Sequence, residues 1–373
     1  MNKVLILIDS FKSTLDSNTL GLVMKESLRK VNIASHYYPI SDGGEGFLDA
    51  VNFKKDKTIE SINITDLDGR MRKTYYLLDD DKAYIEVALL LGFAGFKDSK
   101  RDILGFNSKA LGEVIKDIYD RGIKHIIIGL GGSLTNDFGC GMMASLGVKF
   151  YDFNDKEITN ITPKKLKSVK SVDLKQLEKY KDLSITIASD VTNPLFGKLG
   201  ATEVFSRQKG ASEDDVMVLE EAGKHFHQVL LNENIKDYKD VPGSGAAGGL
   251  GFALMVMFNS KILSGIDYVI ESLDIKDDYV AVITGEGKVD DQSFDGKVCF
   301  AVANHFKLPI HIVSAINQVD IKTLKRFPNV KTIYSIVPKL ATKKESLERP
   351  LYYFEKIAKI MSEDIVKALN MVK

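Results

Sequence analysis

The sequence is poor in cysteine: Cys140 and Cys299 are the only two in 373 residues. Lying far apart, they make neither a disulfide framework nor a zinc spacing, and they fit a reducing cytoplasm. Net charge is missing as well. The 51 basic and 51 acidic side chains cancel, so no global positive field exists to draw nucleic acid or an anionic membrane. Small molecules are the expected partners. The local run Lys164, Lys165, Lys167 and Lys170 reads as a solvated face. No stretch suits a membrane span: Val241 to Ser260 is uncharged, but Pro242, five glycines, Ser244 and Asn259 leave its apolar part too short. The N-terminal MNKVLILID suits a first core strand better than a secretory signal. Also absent are G-x-x-x-x-G-K-[ST], the H-R-D and D-F-G pair, H-E-x-x-H, and a serine and histidine in recognisable catalytic context.

What the chain does have is glycine and short polar residues placed after strands. In IIIGLGGSLTNDFGCGMMASLG, residues 126 to 147, the β-branched run Ile126 to Ile128 predicts a buried parallel strand ending at Gly129. Gly129, Gly131 and Gly132 then let the backbone turn sharply, and Ser133, Thr135, Asn136 and Asp137 crowd polar groups onto the turn. A helix over Met142 to Leu146 would aim free amides at an anion lying there. The alternative is a capped strand-to-helix connection.

Similar signals recur along the chain. Val4 to Ile8 reads as a buried strand ending at Asp9 and Ser10, followed by a helix from Leu15 to Leu28 with Leu15, Leu22, Val23 and Leu28 on its apolar side. Ser35 to Ile40 reads as a strand running into the acidic turn Asp42, Gly43, Gly44 and Glu45. Thr58 to Ala88 alternates like an antiparallel meander. Ser184 to Ala188 is a strand leading to Asp190 and Asn193. Gly200 to Ala211 offers Arg207 and Lys209 as anion donors. His225 and His227, in a mostly exposed helix, are expected to be solvated. Tyr279 to Ile283 is a strand leading to TGEGKVDDQS, and strands at 310 to 313 and 332 to 336 precede a final helix. Strands and helices alternate at both ends of the chain, which implies a parallel sheet made from those ends. The expected domains are residues 1–58 with 276–373, and an inserted α/β domain with a mixed sheet at 59–275.

Residues 243 to 248 formally contain G-x-G-x-x-G. The polar KDYKDVP before them does not supply the strand a dinucleotide fingerprint needs, so the glycines fit an anion at a helix start better. An NAD-dependent dehydrogenase and a non-catalytic sugar-acid-binding module are the rival readings. Glycine turns, carboxylates and a few lysines suit phosphoryl transfer, which depends on positioning and charge stabilisation.

The segments DSFKSTLDS (9–17), SDGGEG (41–46), GLGGSLTNDFGCG (129–141), DVTNPLFG (190–197), FSRQKGA (205–211), GSGAAGGLG (243–251) and TGEGKVDDQS (284–293) together resemble the type I glycerate kinases, in that family's order and over nearly the whole chain. Leu134, Phe138 and Ser189 depart from its usual alanine, glycine and cysteine, which bears on fine specificity. The resemblance implies a flavodoxin-like domain from both chain ends with a second α/β domain inserted. It also implies ATP-dependent phosphorylation of D-glycerate with Mg²⁺, at the 2-hydroxyl, in a cleft between the domains. Another small hydroxy acid, or the 3-hydroxyl, is the nearest alternative. On this reading Asp190 is the base, with Lys12 and Lys297 neutralising charge, and Asp42, Glu45, Glu286 and Asp290 hold the metal. Substrate or phosphate contacts are expected from Asp9, Ser10, Gly43, Gly44, Gly131, Gly132, Ser133, Asn136, Asp137, Asn193, Arg207, Lys209, Gly245, Gly248 and Gln292. D-glycerate and ATP are the expected partners, with neither nucleic acid nor membrane, and a homodimer is compatible with the inventory.

Overall fold

The computed structural model describes residues 3–11, 14–93, 101–276, 278–295, 297–319 and 323–371. Along the chain the strands are β1 (Lys3–Ile8), β2 (Ala34–Tyr37), β3 (Thr58–Thr65), β4 (Met71–Asp79) and β5 (Lys82–Glu86). They continue as β6 (His125–Gly129), β7 (Lys149–Asp152), β8 (Val169–Asp173) and β9 (Ser184–Ala188). The last are β10 (Lys261–Leu263), β11 (Tyr279–Val289), β12 (Ile310–Asn317) and β13 (Val330–Val337). The chain divides into two compact units. The first comprises Met1–Asp42, Asp49–Lys54 and Ile266–Lys373; the second comprises Gly43–Leu48 and Lys55–Gly265.

The first unit is built on a five-stranded sheet in the order β13-β12-β11-β1-β2, every pair parallel. Both chain ends contribute. Val4 to Ile8 are wholly buried, because a parallel strand covered on both faces must be apolar at consecutive positions. Read from the other edge the order is 2-1-3-4-5, the flavodoxin-like arrangement. Helix Ser17–Lys30 starts where the Asp16 carboxylate accepts from the Thr19 amide at 2.8 Å, a regular N-cap. Its buried residues are Leu20, Gly21, Met24 and Leu28. Leu22, expected on the apolar side, is 51% exposed, because Gly21 lies so close to the Tyr37 ring that an added Cβ would come within 2.0 Å of it. That contact sets the face the helix buries. The terminal helix Pro350–Met371 joins the same core: Phe354 meets Phe11 edge to face at 5.5 Å, and the Ser362 hydroxyl donates to that of Ser27 at 3.0 Å.

The second unit carries a six-stranded mixed sheet, β10-β9-β6-β5-β4-β3. β10, β9, β6 and β5 are parallel, and β3 to β5 form the antiparallel meander that their alternation predicts. β7 and β8 make a separate antiparallel hairpin. Two expectations need correction. TGEGKV is not a loop: β11 continues through Val289, its Lys288 opposite Ile316 and Val289 opposite Asn317 of β12. His227 is buried, its Nε2 2.9 Å from Asp237 Oδ1 and its ring edge-on to Phe196 and Phe252. Among the described residues, no helix is long and apolar enough to cross a membrane.

Candidate active site

Polar groups gather in each unit at the carboxyl edge of its parallel strands. In the first unit they line a cavity of about 400 Å³ that includes Asp9, Asp42, Glu286, Lys288 and Lys297. β1 and β11 lie side by side there, and the Asp9 amide donates to the Gly285 carbonyl at 2.9 Å. The Asp9 carboxylate in turn accepts from the Ser10 amide at 2.7 Å. Extension of β11 carries Glu286 into the wall of this cavity, where it is 8% exposed. Among the described residues its Oε1 has no hydrogen-bond partner. Burial pushes its carboxyl up to about 7, with Lys297, Ser293 and Cys299 offsetting part of that rise. Asp290 is clasped by Lys288 at 2.8 Å and Lys297 at 3.4 Å. Burial would raise its carboxyl, but the two lysines outweigh that and hold it below its ordinary value. Lys297 precedes helix Val298–His305. Lys12 lies outside the described residues, as does the side chain of Gln292.

In the second unit, the loop after β6 is anchored from within. The fully buried Asp137 carboxylate accepts from the Ser108 amide and hydroxyl, both at 2.8 Å, and from the amides of Gly139 at 3.2 Å and Gly141 at 2.9 Å. Its capacity is therefore directed at the protein, tying the loop to Ser108 and to the short helix Cys140–Ser145. Lys209, expected as an anion donor, is 3% exposed and donates to the Ser133 hydroxyl at 3.2 Å and the Thr135 carbonyl at 2.7 Å. Burial lowers its ammonium to about 7, and the Asp137 charge counters only part of that fall. Beside it, Asn136 Nδ2 donates to the Thr202 hydroxyl at 3.1 Å. Three buried oxygens in this region, Thr135 Oγ1, Asn136 Oδ1 and Ser206 Oγ, have no hydrogen-bond partner among the described residues.

The glycines serve close approach of backbones. A Cβ on Gly131 would fall 2.7 Å from Gly44 Cα, and one on Gly43 would fall 2.1 Å from the Ala188 carbonyl oxygen. Gly245 packs on Asn193 and Pro194, and Gly248 packs on Thr135 and Asn136 while its carbonyl accepts from Phe138 N at 3.0 Å. Gly132 sits beside Ala88. Asp190 follows β9, and its Oδ1 accepts from Gly265 N at 3.2 Å. Asn193 is turned to the Leu199 carbonyl at 2.8 Å. Arg207 is exposed and held by Glu213 at 2.7 Å and Glu203 at 3.1 Å.

The first unit thus brings together Asp9, Ser10, Asp42, Glu286, Asp290 and Lys297. The second brings together Ser133, Asn136, Asp137 and Lys209, and it also contains Glu45. Among the described residues, no three His, Cys, Asp or Glu side chains are grouped so as to hold a metal ion by themselves. Sequence reasoning missed Lys288 and Glu86. Glu86 ends β5, and its carboxylate accepts from Gly46 N at 3.3 Å and Leu48 N at 3.1 Å, which fixes the glycine turn. Nothing local marks it, since its partners lie some 40 residues earlier. Residues 232–245 contain no strand, so the dinucleotide fingerprint lacks the element that should precede its glycines.

A parallel sheet with carboxylates and lysines at its carboxyl edge, in a chain that also carries a second sheet with polar glycine loops, defines an α/β enzyme suited to phosphoryl chemistry. The chain belongs to the glycerate kinase family, whose model matches residues 4–366. It is a kinase, and hence a phosphotransferase. It is 34% identical to the glycerate 2-kinase of Escherichia coli K12, over 92% of this chain and 93% of that protein. It is 32% identical to the glycerate kinase of Bacillus subtilis 168, over 99% of both. A crystal structure of a candidate glycerate kinase 2 from Salmonella typhimurium LT2 superposes with a TM-score of 0.76 at 29% identity, covering 99% of each chain.

Proposed function

We propose that this chain transfers the γ-phosphoryl group of ATP to the 2-hydroxyl of D-glycerate, giving 2-phospho-D-glycerate and ADP. The observation that carries the reading is the first unit's cavity, where buried carboxylates and lysines share one wall. Phosphoryl transfer asks a protein for positioned charge more than for covalent chemistry, and this wall supplies it. The name of the Escherichia coli relative, at 34% identity, supports the 2-hydroxyl.

Mg²⁺ fits the residues present. Asp9, Asp42 and Glu286 line one cavity, and the Glu286 Oε1, without a hydrogen-bond partner among the described residues, is a hard oxygen donor. This ion is ordinarily held by one or two carboxylates together with phosphate oxygens, so a cage of three protein ligands is not required. When bound, it would neutralise charge on the transferring phosphates. Lys297 and Lys288 would hold negative oxygens of the phosphate chain, and Asp190 would take the proton of the attacking hydroxyl. Asp137 and Lys209 would keep the polar loop after β6 in its shape.

A coupled assay for ADP release, run with ATP, Mg²⁺ and a panel of small hydroxy acids, tests the reading. D-glycerate should be the preferred acceptor, and Asp190→Asn should lower kcat by at least about 100-fold while leaving the melting temperature in place. Release of ADP that does not depend on glycerate, or near-normal turnover by the variant, would count against the substrate or the base respectively.

A further inference from the structure

The first unit's sheet has one point where the strand order reverses, since β1 has β2 on one side and β11 on the other. Open α/β sheets hold their ligands outside the strand carboxyl ends at such a point. The cavity lies there, formed by residues that follow β1 and by the carboxyl halves of β11 and β12. Its walls have two characters. Lys288, Lys297 and Lys343, with the carboxylates Asp9, Asp42 and Glu286, make part of it charged, whereas Phe11, Ile316 and Leu347 make part of it apolar. Lys343 has no ion pair among the described residues, and Leu347 is 56% exposed although it is a large apolar side chain.

We propose that this cavity in the parallel-sheet unit is the nucleotide subsite, with the base against Phe11, Ile316 and Leu347 and the phosphates toward Lys288, Lys297 and Lys343. The assignment rests on the kinase reading above and says which ligand of that reaction the cavity takes. D-glycerate bears oxygen on every carbon, so it has no face that would gain from an apolar wall. A purine has one, because a flat ring removed from water against aliphatic and aromatic carbon is stabilised by burial. Size agrees: about 400 Å³ falls within the range of pockets that enclose drug-sized ligands and exceeds what a three-carbon acid fills. Glu286, with a buried oxygen that lacks a hydrogen-bond partner among the described residues, lines the same space. A ribose hydroxyl or a cation riding on the phosphates would satisfy it.

The test uses the full chain and two probes: equilibrium binding of a fluorescent N-methylanthraniloyl ADP, and steady-state kinetics with ATP and D-glycerate. Leu347→Asp and Lys343→Glu alter positions on the surface, so circular dichroism should report an unchanged fold. Each should weaken binding of the labelled ADP about tenfold and raise KM for ATP comparably, with KM for D-glycerate within about twofold of the parent. Excess D-glycerate should not displace the probe. The assignment is overturned if the parent does not bind the probe, if both variants bind it like the parent, or if KM for D-glycerate rises in place of that for ATP. A parent that binds the probe, with binding lost in the variants, yet does not phosphorylate D-glycerate would sink the proposed reaction and leave the subsite standing.

Discussion

Asp137 and Lys209 are two buried charged side chains that bond to groups of the protein itself. Asp137 spends its oxygens on the Ser108 and Gly141 amides and their neighbours, and Lys209 spends its protons on Ser133 and Thr135. Both hold the loop that presents Ser133 and Asn136. The Lys209 ammonium, ordinarily near 10.5, falls to about 7 through burial. Between those values the unfolded chain keeps a proton that the folded chain has released, so this site's contribution to stability rises with pH from about 7 to 10.5 and is lost as pH falls through 7. Lys209→Met should remove that slope, approaching about 1.4 kcal/mol per pH unit at its steepest. Urea unfolding of both proteins between pH 7.5 and 9.5 would measure it, and parallel profiles would contradict the burial argument.

At the level of elements, the loop after β6 and the glycine segment at 243–249 are interlocked. Ala247, Gly248 and Gly249 all have positive φ, and Gly248 lies against the backbone of Thr135 and Asn136. An alanine there would put its Cβ 2.2 Å from the Thr135 carbonyl oxygen, so the neighbouring loop must move. Gly46, with φ +85°, meets nothing within 4 Å of an added Cβ. Gly46→Ala should therefore cost only the left-handed penalty of about 1 kcal/mol, whereas Gly248→Ala should cost about 3 kcal/mol and lower kcat as well. Equal losses in thermal melts would show that the interlock carries no weight. These elements were legible to different degrees. Apolar runs such as Val4 to Ile8 declared parallel strands because both faces are covered. TGEGKV did not declare itself a strand, because its glycines mimic a turn and only pairing with Ile316 and Asn317 of β12 extends it. The burial of His227 was equally hidden, since it depends on Phe196, Asp237 and Phe252 brought in by tertiary structure.

Over the whole molecule, strands from the two chain ends complete one parallel sheet, and the chain between them forms a second sheet with its own core. Carboxylates at strand ends were readable as site candidates because open sheets expose that edge. That Phe11 and Leu347 share a cavity with them was not, since residues 11 and 347 meet only through the fold. Membership of the glycerate kinase family gives the reaction class, and the position of the transferred phosphate is the central finer claim. Phosphorus NMR of the product formed from ATP, Mg²⁺ and D-glycerate by the full chain tests it most directly. The account predicts a phosphate coupled to the single proton on carbon 2, the resonance of 2-phospho-D-glycerate. A phosphate coupled to the two protons on carbon 3, or an ATP spectrum that does not change, would contradict it.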